Sequence, residues 1–188
     1  MVSDKKPLRP SLWRTCRVIA CESRLRLLWH LFENKELSVC ELACRVGMGE
    51  PQASIQLRAL NARGLILPRR EKMRVYYFAK ANDGVDFAPQ LLEGLRWCHD
   101  RKMRFSSVIH EATAFTHERR IELVRILHRE AMNRDGLLEA SGMSTSALSL
   151  HLRKLIARKV VREVDGKYRL ATPGNPLAEA LLRAALSE

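Results

Sequence analysis

The chain has 188 residues, a net charge of +12 and an isoelectric point near 10.0, and 46% of its residues are hydrophobic. This apolar content provides for a buried core in one domain or two small ones, and the lack of any Ser-, Gly- or Pro-rich tract excludes a largely disordered chain. No apolar run approaches the roughly 18 residues of a membrane span, and the first residues lack the apolar block of a secretory signal, so we expect a cytoplasmic protein with no membrane partner.

The positive charge is concentrated in the first part of the chain. Residues 1–104 contain 20 Lys and Arg against 11 Asp and Glu, a net +9, whereas residues 105–188 carry a net +3. Such an excess favours polyanionic partners, of which nucleic acid is the first candidate. Charge alone leaves open a basic ribosome-associated protein.

The sequence also resembles itself at a fixed spacing. A shift of 96 residues aligns the region around Leu27 with the region around Leu123, and a shift of 95 aligns the following segment. Such self-similarity indicates one architecture present twice. The aligned pairs include Glu22 with Glu118, Arg24 with Arg120, Gly47 with Gly142, Leu57 with Leu152 and Arg58 with Arg153.

The first copy contains a helix-turn-helix pattern. Apolar residues at helical spacing predict a helix from about Ser23 to Glu33 and a short one from Ser38, the expected N-cap, to Arg45. Gly47 ends that helix, and the next begins near Glu50 with Pro51 in its first turn. This helix, over residues 50–63, is followed by Gly64 as a left-handed stop.

Each helix-turn-helix is followed by a predicted β-hairpin. In the first copy, residues 65–67 and 75–78 are β-prone and flank the basic segment 69–74. In the second copy, residues 160–161 and 168–170 flank Asp165-Gly166, a strong two-residue turn signal. A helix-turn-helix with such a wing is a winged helix. The sequence therefore predicts a mainly α fold with small β-hairpin wings, consisting of two tandem winged helix-turn-helix domains.

Three segments resemble the ArsR/SmtB family of winged-helix repressors. They are Glu36–Leu42, the recognition-helix start Gly49–Ser54, and the wing formed by Arg69-Arg70-Glu71 with Val75-Tyr76-Tyr77. The resemblance covers about residues 19–79 and, more loosely, 115–171. The resemblance implies a DNA-binding transcriptional regulator that acts, like members of that family, as a repressor. The sequence departs from the family pattern at three positions. Ser38 stands where metal-sensing members have a thiol, Glu50 where Gln is usual, and Lys72 where Gly is usual. A metal inducer is therefore not implied.

The second helix of each motif, at 50–63 and 145–158, is expected to enter the major groove while the wing contacts the DNA backbone. The predicted DNA contacts of the first copy are Glu50, Gln52, Ser54, Gln56, Arg58 and the wing residues Arg69, Arg70, Lys72 and Arg74. Those of the second copy are Ser144, Thr145, Ser146, Ser149, His151, Arg153, Lys167 and Arg169. Some of these residues are expected only to cap helices.

The predicted domains span residues 1–85 and 113–188, and residues 86–112 are expected to form a long linking helix. On that helix Phe87, Leu91, Leu95 and Cys98 form an apolar stripe suited to packing between domains. Relatives with one domain usually dimerise. Two copies in one chain either replace that dimer as an intrachain pseudo-dimer or still form a homodimer.

The five cysteines allow a sensor alternative. Cys40 and Cys44 lie one helical turn apart, and with Cys16 or Cys21 they would form a three-sulfur site for a soft metal or arsenite. The alternative is that these cysteines pack as small apolar residues, with no metal or cofactor.

The sequence shows no phosphate-binding loop, nucleophile elbow or paired catalytic carboxylates, so we expect no enzyme. The alternative from another class is a non-catalytic winged-helix scaffold for protein interaction or RNA association.

Overall fold

The computed structural model describes residues 10–187, so the first nine residues of the predicted N-terminal domain lie outside the described part. The protein is mainly helical, with small antiparallel sheets. The N-terminal half contains helices α1 Leu12–Ile19, α2 Glu22–Glu33, α3 Val39–Val46, α4 Glu50–Asn61 and α5 Ala88–Asp100, and strands β1 Leu37–Ser38, β2 Leu67–Glu71 and β3 Arg74–Phe78. The strands form one antiparallel sheet in the order β1-β3-β2.

The C-terminal half repeats this order of helices. It contains α6 Phe105–Ala112, α7 Glu118–Arg129, α8 Arg134–Ser141, α9 Thr145–Ala157 and α10 Pro176–Ser187, with strands β4 Val161–Val164 and β5 Lys167–Leu170. A short 3-10 turn at Thr113–Phe115 joins α6 to α7. Met132 pairs with Tyr168 in an isolated bridge at the place where β1 pairs with β3 in the first half.

The helix-turn-helix of the first half begins and ends at the predicted signals. Ser38 caps α3 in a reciprocal capping box with Glu41, and Gly47 ends the helix in the left-handed conformation with φ of 70°. Pro51 lies in the first turn of α4, where backbone N–H groups have no partner within the helix, so its missing N–H costs no helical hydrogen bond. Gly64, with φ of 72°, follows α4 as predicted.

The two wings turn in different ways. The register of β2 and β3 leaves Lys72 and Met73 as a two-residue loop, and Lys72 adopts a φ of 51° where the resembled family has glycine. In the second wing Asp165 and Gly166 both have positive φ, as expected of a type I′ hairpin turn.

The predicted linking helix over residues 86–112 is wrong in one respect, because the structure has two helices there. Helix α5 ends at Asp100, and the left-handed Lys102, with φ of 53°, turns the chain before α6. The amide of Met103 closes this turn by donating to the carbonyl of Cys98, at 3.0 Å. Helix α6 therefore opens the second series of five helices.

One hydrophobic core runs through both halves of the chain. Helix α5 packs along α10, and a Cβ added at Gly94 would lie 2.9 Å from the Cα of Leu177. Helix α1 packs on α6 and on the 3-10 turn. The predicted apolar stripe of α5 is buried at this interface, as are Leu181, Ala184 and Ala185 of α10.

A matching arginine contact occurs in each half. The Nε of Arg24 donates to the carbonyl of Val18 at 2.6 Å, and its Nη2 donates to the carbonyl of Arg17 at 3.1 Å. Arg120 makes the same two bonds to Ala114, at 2.6 Å, and to Thr113, at 3.1 Å. These partners lie 96 residues further along, so the contacts support the repeat seen in the sequence.

Candidate nucleic-acid interface

Helix α4 presents one face to the core and the opposite face to solvent. Ala53, Leu57 and Leu60 are buried against the rest of the first half. The outward face carries a polar, an apolar and a cationic side chain, namely Gln52, Ile55 and Arg58. This face has the groups needed to contact base edges and phosphates in a major groove.

Gln56, predicted to contact DNA, faces the protein instead. Its Oε1 accepts a hydrogen bond of 2.7 Å from the Nη1 of Arg24 on helix α2. Gln56 lies one residue before the buried Leu57 and three after the buried Ala53, so it flanks the packed stripe. This hydrogen bond joins α4 to α2, and a DNA contact by Gln56 stays a prediction.

Ile55 was missed by the sequence analysis. It is 57% exposed although it is a large apolar residue. It lies two residues from both Ala53 and Leu57, and a separation of two residues places a side chain on the opposite side of a helix. That spacing was the signal available in the sequence, and it also identifies Leu150, which is 42% exposed on α9.

The remaining predicted residues of α4 differ in their surroundings. Glu50 is exposed and faces the thiol of Cys40 on α3, and a hydrogen bond between the two is the main cause that raises the pKa of Cys40. Ser54 is half-buried, and its carbonyl accepts a bond of 3.3 Å from the Nε of Arg58.

The start of α9 is formed by exposed hydroxyl residues. Ser144 is its N-cap and accepts a hydrogen bond of 3.3 Å from the amide of Ala147, as was expected for some of the predicted contacts. Thr145 and Ser146 are exposed. The hydroxyl of Ser149 donates to the carbonyl of Thr145 at 2.7 Å and accepts a short bond from Arg134, so it is occupied within the protein.

His151 was predicted to contact DNA, and the structure buries it. Only 7% of the residue is exposed, and its ring lies 4.7 Å from the ring of His117. Burial, followed by the proximity of His117, lowers the pKa of His151. His151 corresponds to Gln56 by the 95-residue shift, and both positions face inward. Arg153, like Arg58, is exposed on the outer face.

In the first wing, Arg69 is held by carboxylates. Its guanidinium lies 2.6 Å from Glu36 and 2.8 Å from Glu71, and it stacks on the ring of Tyr76 at 4.9 Å. These hydrogen bonds lower the pKa of Glu36 and raise that of Arg69. Arg69 thus links the hairpin to Glu36 while its side chain stays 43% exposed, and its DNA contact stays a prediction.

The other basic residues of the wings are mostly exposed. Arg70, Lys72 and Arg74 are exposed in the first wing, next to the fully exposed Met73. In the second wing Lys167 is exposed, whereas Arg169 is half-buried with a buried Nε. Arg162, which pairs with Arg169 across the two strands, is exposed and was missed by the sequence analysis.

Comparison with known proteins identifies the helix-turn-helix of the first half. Residues 21–66 match the family model described as bacterial regulatory protein, arsR family. Among solved structures, reduced HlyU from Vibrio cholerae N16961 is 26% identical over 48% of this chain and 87% of that chain, with a TM-score of 0.40. The arsR-family segment contains α2, α3 and α4, and it supports a DNA-binding transcription regulator.

The cysteines predicted for a three-sulfur site are not brought together. Cys40 and Cys44 are exposed on α3, whereas Cys16 is buried on α1 and Cys21 is half-buried beside Ser23. Among residues 10–187, no group of three or more His, Cys, Asp or Glu side chains is placed to hold a metal ion. The raised pKa of Cys40 also opposes formation of the thiolate that a soft metal needs.

Proposed function

We propose that the protein is a sequence-specific double-stranded DNA-binding transcriptional regulator that acts in the cytoplasm. Helices α4 and α9 would read the major groove, and the basic wings would contact the DNA backbone. The observation that carries this proposal is the outward face of α4 beside a wing with exposed Arg70 and Lys72. A repressor role is what the resemblance to the ArsR/SmtB family implies.

The side chains on the outward faces match the chemistry of base edges. Gln52 has the donor and acceptor that pair with adenine, and Ile55 is suited to the methyl group of thymine. Arg58 has the fork of donors that guanine or phosphate accepts. On α9, Leu150 and Arg153 take the places of Ile55 and Arg58, while the exposed hydroxyls of its first turn are suited to phosphate oxygens.

We also propose that the chain acts as an intrachain pseudo-dimer, with each half taking the place of one protomer. The close packing of α5 on α10 at Gly94, and of α1 on α6, supports this assembly. Residues of both halves share one core, so separation of the halves would expose a large apolar surface. The mass of the particle in solution tests this, because a homodimer has twice the mass of one chain.

The experiment that tests the function is selection of bound fragments from a random duplex pool, followed by salt titration of binding. A regulator selects a recurring sequence, and its affinity falls steeply with salt. Failure to bind any duplex would refute the proposal and favour the non-catalytic interaction scaffold. Two half-sites per bound chain, rather than per pair of chains, would support the pseudo-dimer.

Charge reversal in the wing separates backbone contacts from base contacts. Arg70→Glu is expected to weaken binding to all duplexes alike and to reduce the salt slope by about 1. The control is Arg183→Glu, which reverses an exposed charge on α10 rather than on a wing. Equal behaviour of the two variants would contradict the proposed orientation.

A further inference from the structure

A cavity of about 670 Å³ lies in the C-terminal half, away from the outward face of α9. It is enclosed by helix α6, the residues that follow α9, the connection from β5 to α10, and α10 itself. Its volume lies in the range of small-molecule sites, roughly 300–1,000 Å³. The apolar part of its wall includes Phe115, Val160, Leu181 and Leu182.

The corresponding region of the first half is filled by the chain. There the connection from β3 to α5 spans residues 79–87 and buries Ala81, Val85 and Phe87. Val85 packs so closely on Gly64 that an added Cβ would lie 2.9 Å from its Cγ2. In the second half the connection is shorter, over residues 171–175, and Lys159 stands in the place of Gly64. The shorter connection leaves this space open.

One carboxyl group of the cavity wall has unused hydrogen-bonding capacity. Glu111 accepts a bond of 2.8 Å from the amide of Asn175 at Oε1, whereas its buried Oε2 has no hydrogen-bond partner among residues 10–187. A buried carboxylate oxygen without a donor is costly, and a hydrogen-bond donor would offset that cost. Burial raises the pKa of Glu111, and the bond from Asn175 offsets this in part.

Glu111 has no counterpart of the same chemistry in the first half. The residue 96 positions earlier is Thr15, which is buried and donates its hydroxyl to the carbonyl of Ser11 at 3.2 Å. The hydroxyl of Thr15 therefore has its hydrogen-bond partner at the start of its own helix. The second half therefore combines the open space with a carboxyl group in its wall.

We propose that this cavity binds a small organic amine, whose ammonium group donates to the carboxyl group of Glu111 while its apolar body packs against Phe115, Leu181 and Leu182. The ammonium supplies both a donor and a compensating charge for the carboxylate. The basic residues of the wall are His110, Arg158 and Lys159, and the charge of His110 contributes to lowering the pKa of Glu111. His110 contacts the carbonyl of Ala157, and Arg158 donates to Thr113 at 2.7 Å.

Binding is tested on the full chain without DNA, so failure here is separate from failure of the proposed function. The probes are benzylamine, benzyl alcohol and benzoate, which share the ring and differ in the polar group. Ligand-observed NMR and thermal unfolding should detect benzylamine in preference to the other two. Glu111→Gln, which keeps the acceptor for Asn175, should weaken benzylamine binding by roughly tenfold or more.

Two further variants identify the site. Ala178→Phe places a ring in the cavity and should abolish benzylamine binding, whereas Glu139→Gln, on the exposed face of α8, should leave it unchanged. Equal binding of all three probes would overturn the assignment of an amine. Absence of benzylamine binding, or binding that Glu111→Gln leaves unchanged, would overturn the site itself.

Discussion

The contact between α5 and α10 can be tested with a single methyl group at Gly94. In a solvent-exposed helix, Gly→Ala stabilises by about 1 kcal/mol because alanine has the higher helix propensity. At Gly94 the added Cβ would lie 2.9 Å from the Cα of Leu177 and 3.2 Å from both its amide nitrogen and the carbonyl oxygen of Pro176. All three are backbone atoms, so no side-chain rotation relieves the clash and the helices must move apart.

Overpacking of this kind costs about 1–3 kcal/mol, and the backbone clash argues for the upper half of that range. After the gain in helix propensity, Gly94→Ala should lower the free energy of unfolding by about 1–2 kcal/mol. For a chain of this size the corresponding fall in Tm is roughly 2–8 °C.

Urea unfolding followed by circular dichroism measures this free energy. The matched control is Gly174→Ala, since a Cβ at Gly174 meets nothing within 4 Å, and it should be neutral or gain up to about 1 kcal/mol. A Gly94→Ala protein that is more stable than the parent would show that α5 and α10 do not pack at this distance.

Three further predictions concern separate parts of the molecule. Lys159→Gly should raise the free energy of unfolding by about 0.5–1 kcal/mol, because Lys159 has a φ of 57° that glycine adopts without strain. Urea unfolding measures this change, and a loss of stability would contradict the prediction. The raised pKa of Glu111 means that the folded state binds more protons than the unfolded state, so stability falls as pH rises from the ordinary value of 4.5 through the folded-state pKa. Glu111→Gln should remove this decline in urea titrations across that pH range, and an unchanged profile would exclude Glu111 as its source. Ile55→Ser should lower affinity for the selected duplex by about tenfold while leaving affinity for random duplex unchanged, and an equal fall in both would exclude a base contact.

The local signals in the sequence were sufficient for the helix-turn-helix and the hairpins. Ser38, Gly47 and Pro51 act within one or two turns of the chain, so their effect does not depend on distant residues. The Asp165-Gly166 turn is of the same kind. For such features residue type and spacing determine the conformation.

Contacts between residues far apart in the chain could not be predicted from the sequence. Gln56 faces inward because Arg24, 32 residues earlier, donates to it, and Arg69 is held by Glu36 across the sheet. His151 is buried against His117 on another helix. The helical period assigned Gln56 and His151 to a face of their helices, but the residues that they contact are determined by the tertiary structure.

The cavity also could not be predicted from the sequence. It depends on a connection of residues 171–175 that fails to cover what residues 79–87 cover in the first half. The sequence around Glu111 indicates only an ordinary surface carboxylate. The burial of Glu111 and the lack of a hydrogen-bond donor to its Oε2 depend on the packing of α6 and α10.

The outward faces of α4 and α9 are not copies of each other, although both belong to one chain. Gln52 corresponds to Ala147 and Glu50 to Thr145, whereas Arg58 corresponds to Arg153. A symmetric pair of identical protomers must present the same side chains to each half of its target, and therefore favours palindromes. If the chain acts as the proposed pseudo-dimer, its two unequal faces would not require a palindromic target. The pairing of the two faces would then also persist on dilution, because peptide bonds rather than protein concentration would keep the halves together.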